Sequence, residues 1–253
     1  MKYNCFLPLA APLIVFLLSE IFFYKPKLIF VVIILIFIIF LFTIRQFILA
    51  NKSNQKFWNL LILPSCFSIS LIIFTTIIPN KFIIQILFIL NSIFLYNYFS
   101  AIYYLLVNSN NFKKENLRNL SSYGNFLTYF FFTSSIYGFQ VFLNIQVWIL
   151  MLIVIIFTAL IAYQVAWANE ILLKKSLFYI LLICLVLTEI AWSVSFLSLN
   201  YYILGLIISI CYYIIIGLTR FFLQDILNKK LIKQYLIFGC LSILAVLFTA
   251  RWI

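Results

Sequence analysis

Long apolar runs separated by short polar gaps make up almost the whole sequence. A helix needs about 20 mostly apolar residues to cross ~30 Å of hydrocarbon, because each residue adds about 1.5 Å of length. By this measure the pattern predicts an all-α, polytopic transmembrane helical bundle of about nine spans, folded as a single domain over residues 1–253. The predicted spans are roughly residues 5–23, 28–44, 57–78, 82–107, 125–143, 146–169, 176–198, 201–219 and 234–250.

The gaps between the runs differ in length. Two are tight, at residues 144–146 and 199–200, and both are predicted as turns. A helix that fused the runs on either side would exceed about 40 residues, far more than a bilayer needs. Residues 108–124 form the least apolar stretch and predict the longest loop, because their Asn and Ser residues suit turns.

The basic residues fall almost entirely in the gaps. If the N-terminus is cytoplasmic, the cytoplasmic segments hold thirteen of the seventeen Lys and Arg residues, and the outside segments hold four. Such an excess marks cytoplasmic loops, so the N-terminus is predicted inside and the C-terminus outside. The thirteen are Lys2, Arg45, Lys52, Lys56, Lys113, Lys114, Arg118, Lys174, Lys175, Arg220, Lys229, Lys230 and Lys233. The four are Lys25, Lys27, Lys81 and Arg251.

Composition agrees with a membrane protein and excludes a soluble one. Hydrophobic residues are 67% of the chain and charged residues 9%, which would not keep a protein surface in water. The net charge of +12 would suggest nucleic acid in a soluble protein. Here the charges lie between spans, where they meet anionic lipid headgroups, so we predict lipid contacts at the cytoplasmic loops and no nucleic acid.

Residue types that are absent limit the chemistry. The chain has no histidine, the usual general base and metal ligand near neutral pH. Five glycines and no phosphate-binding motif argue against a nucleotide site. The five cysteines each lie alone in an apolar run, as small hydrophobic residues do. This inventory predicts no catalytic residues, no metal and no cofactor, and it favours a protein that is not an enzyme.

Five acidic residues remain, and Glu189 is the one well inside a predicted span. It lies about 20 Å along the seventh run, where a charge costs at least ~2.5 kcal/mol, so it is expected to face the protein interior. One hypothesis is a proton or cation site; the other is a carboxyl group that hydrogen-bonds to another helix. Trp192 and Ser193 would line the site. The hydrogen-bond partners at comparable depth on other spans would be Thr133, Ser134, Ser135 or Asn91.

The other polar residues of the spans have simpler expectations. Glu20 is expected to form an interfacial ion pair near Lys25 and Lys27, with a structural role. Asn and Gln side chains within spans are expected to hydrogen-bond between helices. These are Gln85, Asn91, Asn97, Gln140 and Gln164.

The segment from Arg220 to Lys233 mixes leucines with basic residues. Leu223, Leu227 and Leu231 recur every four residues, which predicts a short amphipathic helix at the membrane surface. Two alternatives stay open, a docking surface for lipid or a partner and a helix end that frays through the headgroups. The basic residues of this candidate surface are Arg220, Lys229, Lys230 and Lys233.

The last third of the chain carries a resemblance. It rests on residues 188–192 (Thr-Glu-Ile-Ala-Trp), 200–205 (Asn-Tyr-Tyr-Ile-Leu-Gly), 212–213 (Tyr-Tyr) and 217–220 (Gly-Leu-Thr-Arg). These residues resemble uncharacterised multi-span membrane proteins of candidate-phylum bacteria with small genomes. The resemblance implies a bacterial cytoplasmic membrane and no known activity.

Three functional hypotheses follow. The preferred one is a non-catalytic membrane subunit or scaffold that holds lipid or a protein partner at its basic cytoplasmic surfaces. The second is a secondary transporter or channel in which Glu189 binds the proton or cation. The third, a lipid-modifying membrane enzyme, is the least favoured because histidine and paired acidic residues are missing.

Overall fold

A computed structural model gives the fold of the chain. It describes residues 6–51, 57–107, 111–171 and 173–250, and the side chains of these residues except 50–51, 107, 111–114 and 173–175. Within these ranges the structure is helical, and nine helices are long and apolar enough to cross a membrane, which confirms the predicted number of spans. The helices are α1 Leu7–Tyr24, α2 Ile29–Asn51, α3 Phe57–Thr75, α4 Lys81–Val107, α5 Asn111–Leu143, α6 Val147–Ala168, α7 Leu173–Val194, α8 Tyr201–Leu223 and α9 Lys229–Thr249.

The helices form two compact units. The N-terminal unit is Met1–Gly124 and holds α1 to α4 with the start of α5, where α1 packs on α2 and α4, and α3 packs on α2 and α4. The C-terminal unit is Asn125–Ile253, in which α7 packs on α6 and α8, and α8 packs on α9. The single domain, the membrane orientation and the inside position of the N-terminus stay predictions.

The predicted loop at residues 108–124 is wrong, because the described part of this stretch, residues 111–124, is the start of α5. Leu117, Ser121 and Gly124 are buried while Asn116 and Asn119 are exposed, so the helix presents one face to its neighbours. Once a span has nucleated a helix, each added residue gains a hydrogen bond at little cost. The helix therefore extends beyond the apolar run at which the sequence pattern placed its start.

The two tight turns have clear chemistry. Asn144 follows α5 with φ 50°, a left-handed conformation that Asn tolerates better than most residues. Asn200 caps α8, and its side chain accepts a hydrogen bond from the Tyr202 N–H. Both turns are confirmed, but the second begins at Ser195, because α7 ends at Val194 and not at residue 198.

The predicted amphipathic helix from Arg220 to Lys233 is also wrong. Asp225 has φ 58°, and the N–H groups of Asp225 and Ile226 donate to the carbonyls of Phe222 and Phe221, each at 3.0 Å. This left-handed C-terminal motif ends α8. Asn228 then caps α9, so the segment consists of two helix ends and a turn.

A proline within α3 explains one buried contact of the N-terminal unit. Pro64 has no N–H, so the Leu60 carbonyl four residues earlier loses its helical donor. The Tyr98 hydroxyl of α4 donates to this carbonyl at 3.0 Å, and Tyr98 is fully buried. Tyr98 thus supplies the hydrogen bond that the proline removes, at a membrane depth where water is not available to donate one.

Candidate functional site

Half of α5 carries a line of buried polar side chains, which we call the polar ladder. Its members are Asn125, Tyr129, Thr133 and Tyr137, spaced four residues apart on one face of the helix. All four are at most 2% exposed. Each makes a hydrogen bond to another helix of the C-terminal unit, so α5 connects its neighbours through polar contacts.

The first two members of the ladder contact α6. The Asn125 side-chain amide donates to the Gln164 side-chain oxygen at 2.6 Å, and the hydroxyls of Tyr129 and Thr158 are 3.0 Å apart. The Tyr129 ring also stacks on Tyr212 of α8, with centroids 4.2 Å apart and planes at 13°. Gln164 was expected to hydrogen-bond between helices, and this expectation is confirmed.

The other two members contact backbone carbonyls. The Thr133 hydroxyl donates to the Gly205 carbonyl of α8 at 3.2 Å, and the Tyr137 hydroxyl donates to the Ala191 carbonyl of α7 at 2.7 Å. Ala191 belongs to the last turn of α7, and its carbonyl also accepts a hydrogen bond from the Ser195 N–H at 3.1 Å. The ladder therefore stabilises the packing of α5 on α7 and α8.

Ser134, a predicted partner of Glu189, lies instead at a close approach between α5 and α8. A Cβ atom added at Gly205 would meet the side-chain oxygen of Ser134, and it would lie 2.7 Å from the Ser134 backbone nitrogen and Cα. Small residues allow such approach between membrane helices. Ser134 is fully buried in this contact. It therefore serves the packing of α5 on α8 and is not a partner of Glu189.

Asn91, the other predicted partner, belongs to the N-terminal unit. Its side-chain oxygen accepts a hydrogen bond from the Ser68 hydroxyl of α3 at 3.1 Å, and Asn91 is fully buried. The expectation that Asn91 joins two helices is confirmed. Its use as a partner of Glu189 is not supported, since its oxygen already serves α3.

Glu20 has a partner that sequence reasoning missed. The Gln85 side-chain amide of α4 donates to the Glu20 carboxylate at 3.1 Å, so Gln85 binds this carboxylate in place of Lys25 or Lys27. Glu20 lies four residues before the end of α1, and Gln85 lies four residues after the start of α4. This equal distance from one membrane edge was the signal that could have paired them.

Glu189 faces outward, contrary to the expectation that it faces the interior. It is exposed, whereas the buried residues of α7 follow a helical spacing on the opposite face. Those buried residues are Ser176, Ile183, Cys184, Leu187, Ala191 and Val194. Glu189 is also nearer the helix end than predicted, about 7 Å from Val194 at 1.5 Å per residue.

Glu189 lines a groove between α6 and α7, which we call the α6–α7 groove. Its volume is about 400 Å³. The structure places Trp192 in the groove beside Glu189, and the Ser193 hydroxyl donates to the Glu189 backbone carbonyl at 2.9 Å. The residues that line the groove are Trp148, Met151, Leu152, Ile155, Thr188, Glu189 and Trp192.

The four basic residues of the predicted lipid or partner surface separate into two places. Arg220 lines a small cavity of about 20 Å³ between α6, α7 and α8, beside Ser176 and Thr219. Lys229, Lys230 and Lys233 are exposed in the first turns of α9. The left-handed C-terminal motif at Asp225 causes this separation, because it ends the helix that would have carried all four basic residues.

Comparisons with known proteins give a family and no activity. No match to the chain was found among curated proteins or among solved structures. One family model matches residues 11–249, nearly the whole chain, and its members are uncharacterised, as the sequence resemblance implied. A source among small-genome bacteria stays a prediction. The chain belongs to the family described as "Protein of unknown function (DUF5656)".

Proposed function

We propose that this chain is a non-catalytic subunit of a bacterial cytoplasmic-membrane complex and that it holds a protein partner through α9. The observation that carries the proposal is the exposure of α9. Only 6% of the residues in its apolar membrane-spanning segment are buried, compared with 28% to 67% for the other eight described spans. Within Lys229–Thr249 the one buried residue is Gly239.

The contacts of α9 with its own chain are few and lie on one side. Tyr235 packs on α8 at Gly217 and stacks on Tyr213, with centroids 5.5 Å apart, and Gly239 packs against Ile214. Large apolar side chains cover the remaining surface of the helix. Those exposed include Leu236, Ile237, Phe238, Leu241, Leu244 and Phe248.

Charge at one end of α9 indicates the chemistry of the partner. Lys229, Lys230 and Lys233 are all exposed there, and the predicted orientation puts them in the cytoplasm. A transmembrane helix with an acidic segment just beyond the membrane would complement both the apolar surface and the lysines. The partner we propose is a membrane protein with this pattern.

The polar ladder supports the non-catalytic part of the proposal, because its side chains have a structural role. Each of its four side chains is hydrogen-bonded to another helix of the same unit. Side chains held in this way stabilise a fold, because breaking the bond would leave a polar group unsatisfied in an apolar surrounding.

Photo-crosslinking in living cells tests the proposal. A photoreactive phenylalanine analogue replaces Leu241 or Phe248 on α9, which are 58% and 87% exposed. The matched control carries it at Ile38 of α2, which is 52% exposed. We expect a protein adduct of one defined mass from α9 and none from Ile38, and we expect Lys229→Glu/Lys230→Glu/Lys233→Glu to weaken it. Lipid adducts alone at all three positions would contradict the proposal.

A native cysteine distinguishes a second copy of the chain from another partner. Cys240 is exposed on α9, so mild oxidation would join two copies if their α9 helices packed together. We expect no such dimer, because the lysines of two parallel copies would repel each other. A disulfide-linked dimer that is lost in Cys240→Ser would replace the acidic partner with a second copy.

Cation-coupled transport is the second candidate function, and one observation favours it. Glu189 is exposed in the α6–α7 groove, so the protein does not enclose its carboxyl group. Transport through this residue would require Glu189→Gln to abolish flux in proteoliposomes while the protein stays inserted. Equal flux in wild type and variant would exclude Glu189 as the coupling group. No observation favours a lipid-modifying enzyme.

A further inference from the structure

We infer that the α6–α7 groove binds a phospholipid through the ammonium group of its head. The ligand class is an amphiphile with a cationic amine head and an apolar chain, such as phosphatidylethanolamine. This site is separate from the α9 surface, and it does not depend on the proposed protein partner.

The groove lies at the edge of the membrane. Trp148 is the second residue of α6, and Trp192 is two residues before the end of α7. These helices are antiparallel neighbours, so both indoles lie at the same membrane edge, at the level that tryptophan prefers in bilayers. Glu189 is three residues deeper than Trp192, which is about 4.5 Å at 1.5 Å per residue.

Charge complementarity selects a cation. Glu189 is the one charged side chain among the seven that line the groove. Within the described chain its carboxylate has no hydrogen-bonding or ionic partner, although a charge in a span is costly. Trp148 and Trp192 are 61% and 54% exposed, so their rings are available to a cation, and ammonium groups bind to indole faces.

The floor of the groove selects a lipid over a small free amine. Met151, Leu152 and Ile155 of α6 line it on the side away from the tryptophans, and Leu152 and Ile155 are exposed. Their spacing of three and four residues forms a continuous apolar strip along the helix. A molecule that places an ammonium group beside Glu189 can therefore lay its acyl chain on this strip, within a groove of about 400 Å³.

Native mass spectrometry of the full chain tests the site. The protein is reconstituted in nanodiscs of equal parts phosphatidylethanolamine and phosphatidylglycerol, released, and weighed with its retained lipids. We expect wild type to retain one phosphatidylethanolamine in preference to phosphatidylglycerol. Glu189→Gln should lower this preference about tenfold and Trp192→Leu less, as expected from the loss of an ion pair and of a cation–π contact. Glu115→Gln, which removes an exposed acid elsewhere, should leave it unchanged.

A lipid-side control keeps the test valid if a variant does not fold. N-acetylated phosphatidylethanolamine has the same chains and phosphate but no ammonium group, so wild type should not retain it in preference to phosphatidylglycerol. Equal retention of the acetylated and unmodified lipids would overturn the inference. So would an unchanged preference in a folded Glu189→Gln variant, or a polypeptide bound to the groove in place of lipid.

Discussion

The second half of α5, from Asn125 to Leu143, and α9 differ in polarity and in burial. The α5 segment carries the polar ladder, and half of the membrane-spanning window of α5 is buried. In α9 the span is apolar on every side, and nearly all of it is exposed. The more polar helix is therefore the inner one, and the more apolar helix is the outer one.

This difference shows how packing works when the solvent is lipid. Apolar side chains gain little by leaving lipid for a protein interior, so they do not mark the inside of the bundle. Polar side chains gain hydrogen bonds there and close backbone approach becomes possible beside small residues, as at Gly205 and Ser134. The polar and small residues of α5 and α8 therefore identify the core.

The largest effect is expected from Gly205→Ala, which places a methyl group against the α5 backbone at Ser134. Neither backbone can move without disturbing the ladder, so we expect the free energy of unfolding to fall by about 3 kcal/mol. Gly239→Ala on α9 is the matched control, because its methyl group would meet only the flexible end of Ile214. Denaturant titration in detergent micelles measures both, and equal losses would contradict the comparison.

The next effect extends the comparison to the N-terminal unit. Tyr98→Phe leaves the Leu60 carbonyl without its donor, which should cost about 1–2 kcal/mol of unfolding free energy. In a Pro64→Ala background the new backbone N–H can serve that carbonyl, so Tyr98→Phe should cost much less there. A double-mutant cycle by thermal unfolding measures this coupling. Independent, additive effects would show that the tyrosine does not replace the missing bond.

A smaller effect is expected at the first rung of the ladder. Asn125→Leu leaves the Gln164 side-chain oxygen without its donor and should cost about 1 kcal/mol, the usual size of a polar contact between membrane helices. Asn125→Leu combined with Gln164→Leu should cost less than the two single changes added together, because no amide is then left unpaired. Chemical unfolding of the four proteins tests it, and strict additivity would argue against a shared hydrogen bond.

The smallest effect on folding is expected on the outer surface. Leu241→Ala on α9 and Glu189→Gln in the α6–α7 groove should each change the free energy of unfolding by less than about 0.5 kcal/mol, since both side chains are exposed. The same variants should alter crosslinking or lipid retention, which separates binding from folding. A loss of stability as large as that of Gly205→Ala would mean that these residues belong to the core.

Parts of the core could be read from the sequence, and parts could not. The four-residue spacing of Asn125, Tyr129, Thr133 and Tyr137 is visible in the sequence and predicts a shared face. Their partners are not visible, because Thr158, Gln164, Ala191 and Gly205 lie on three other helices at depths that loop geometry sets. The pairing of Asn91 and Gln164 with other helices was predictable in kind, whereas the identity of each partner was not.

The acidic residues show the same division. Glu20 and Glu189 each lie inside an apolar run, and nothing local distinguishes the one bound by Gln85 from the one exposed in a groove. The expectation that a membrane carboxyl faces inward failed for Glu189, because it lies near the end of α7, where contact with headgroups is an alternative to burial.

By itself the sequence determined the helical class and the number of helices long and apolar enough to cross a membrane, because a span needs a run of about 20 mostly apolar residues. Only the tertiary structure shows which face of each helix packs against other helices and that the other helices leave most of α9 uncovered. The physical reason is that lipid and protein interior are equally apolar, so hydrophobic periodicity, which marks the inside of a soluble protein, carries little information within a span.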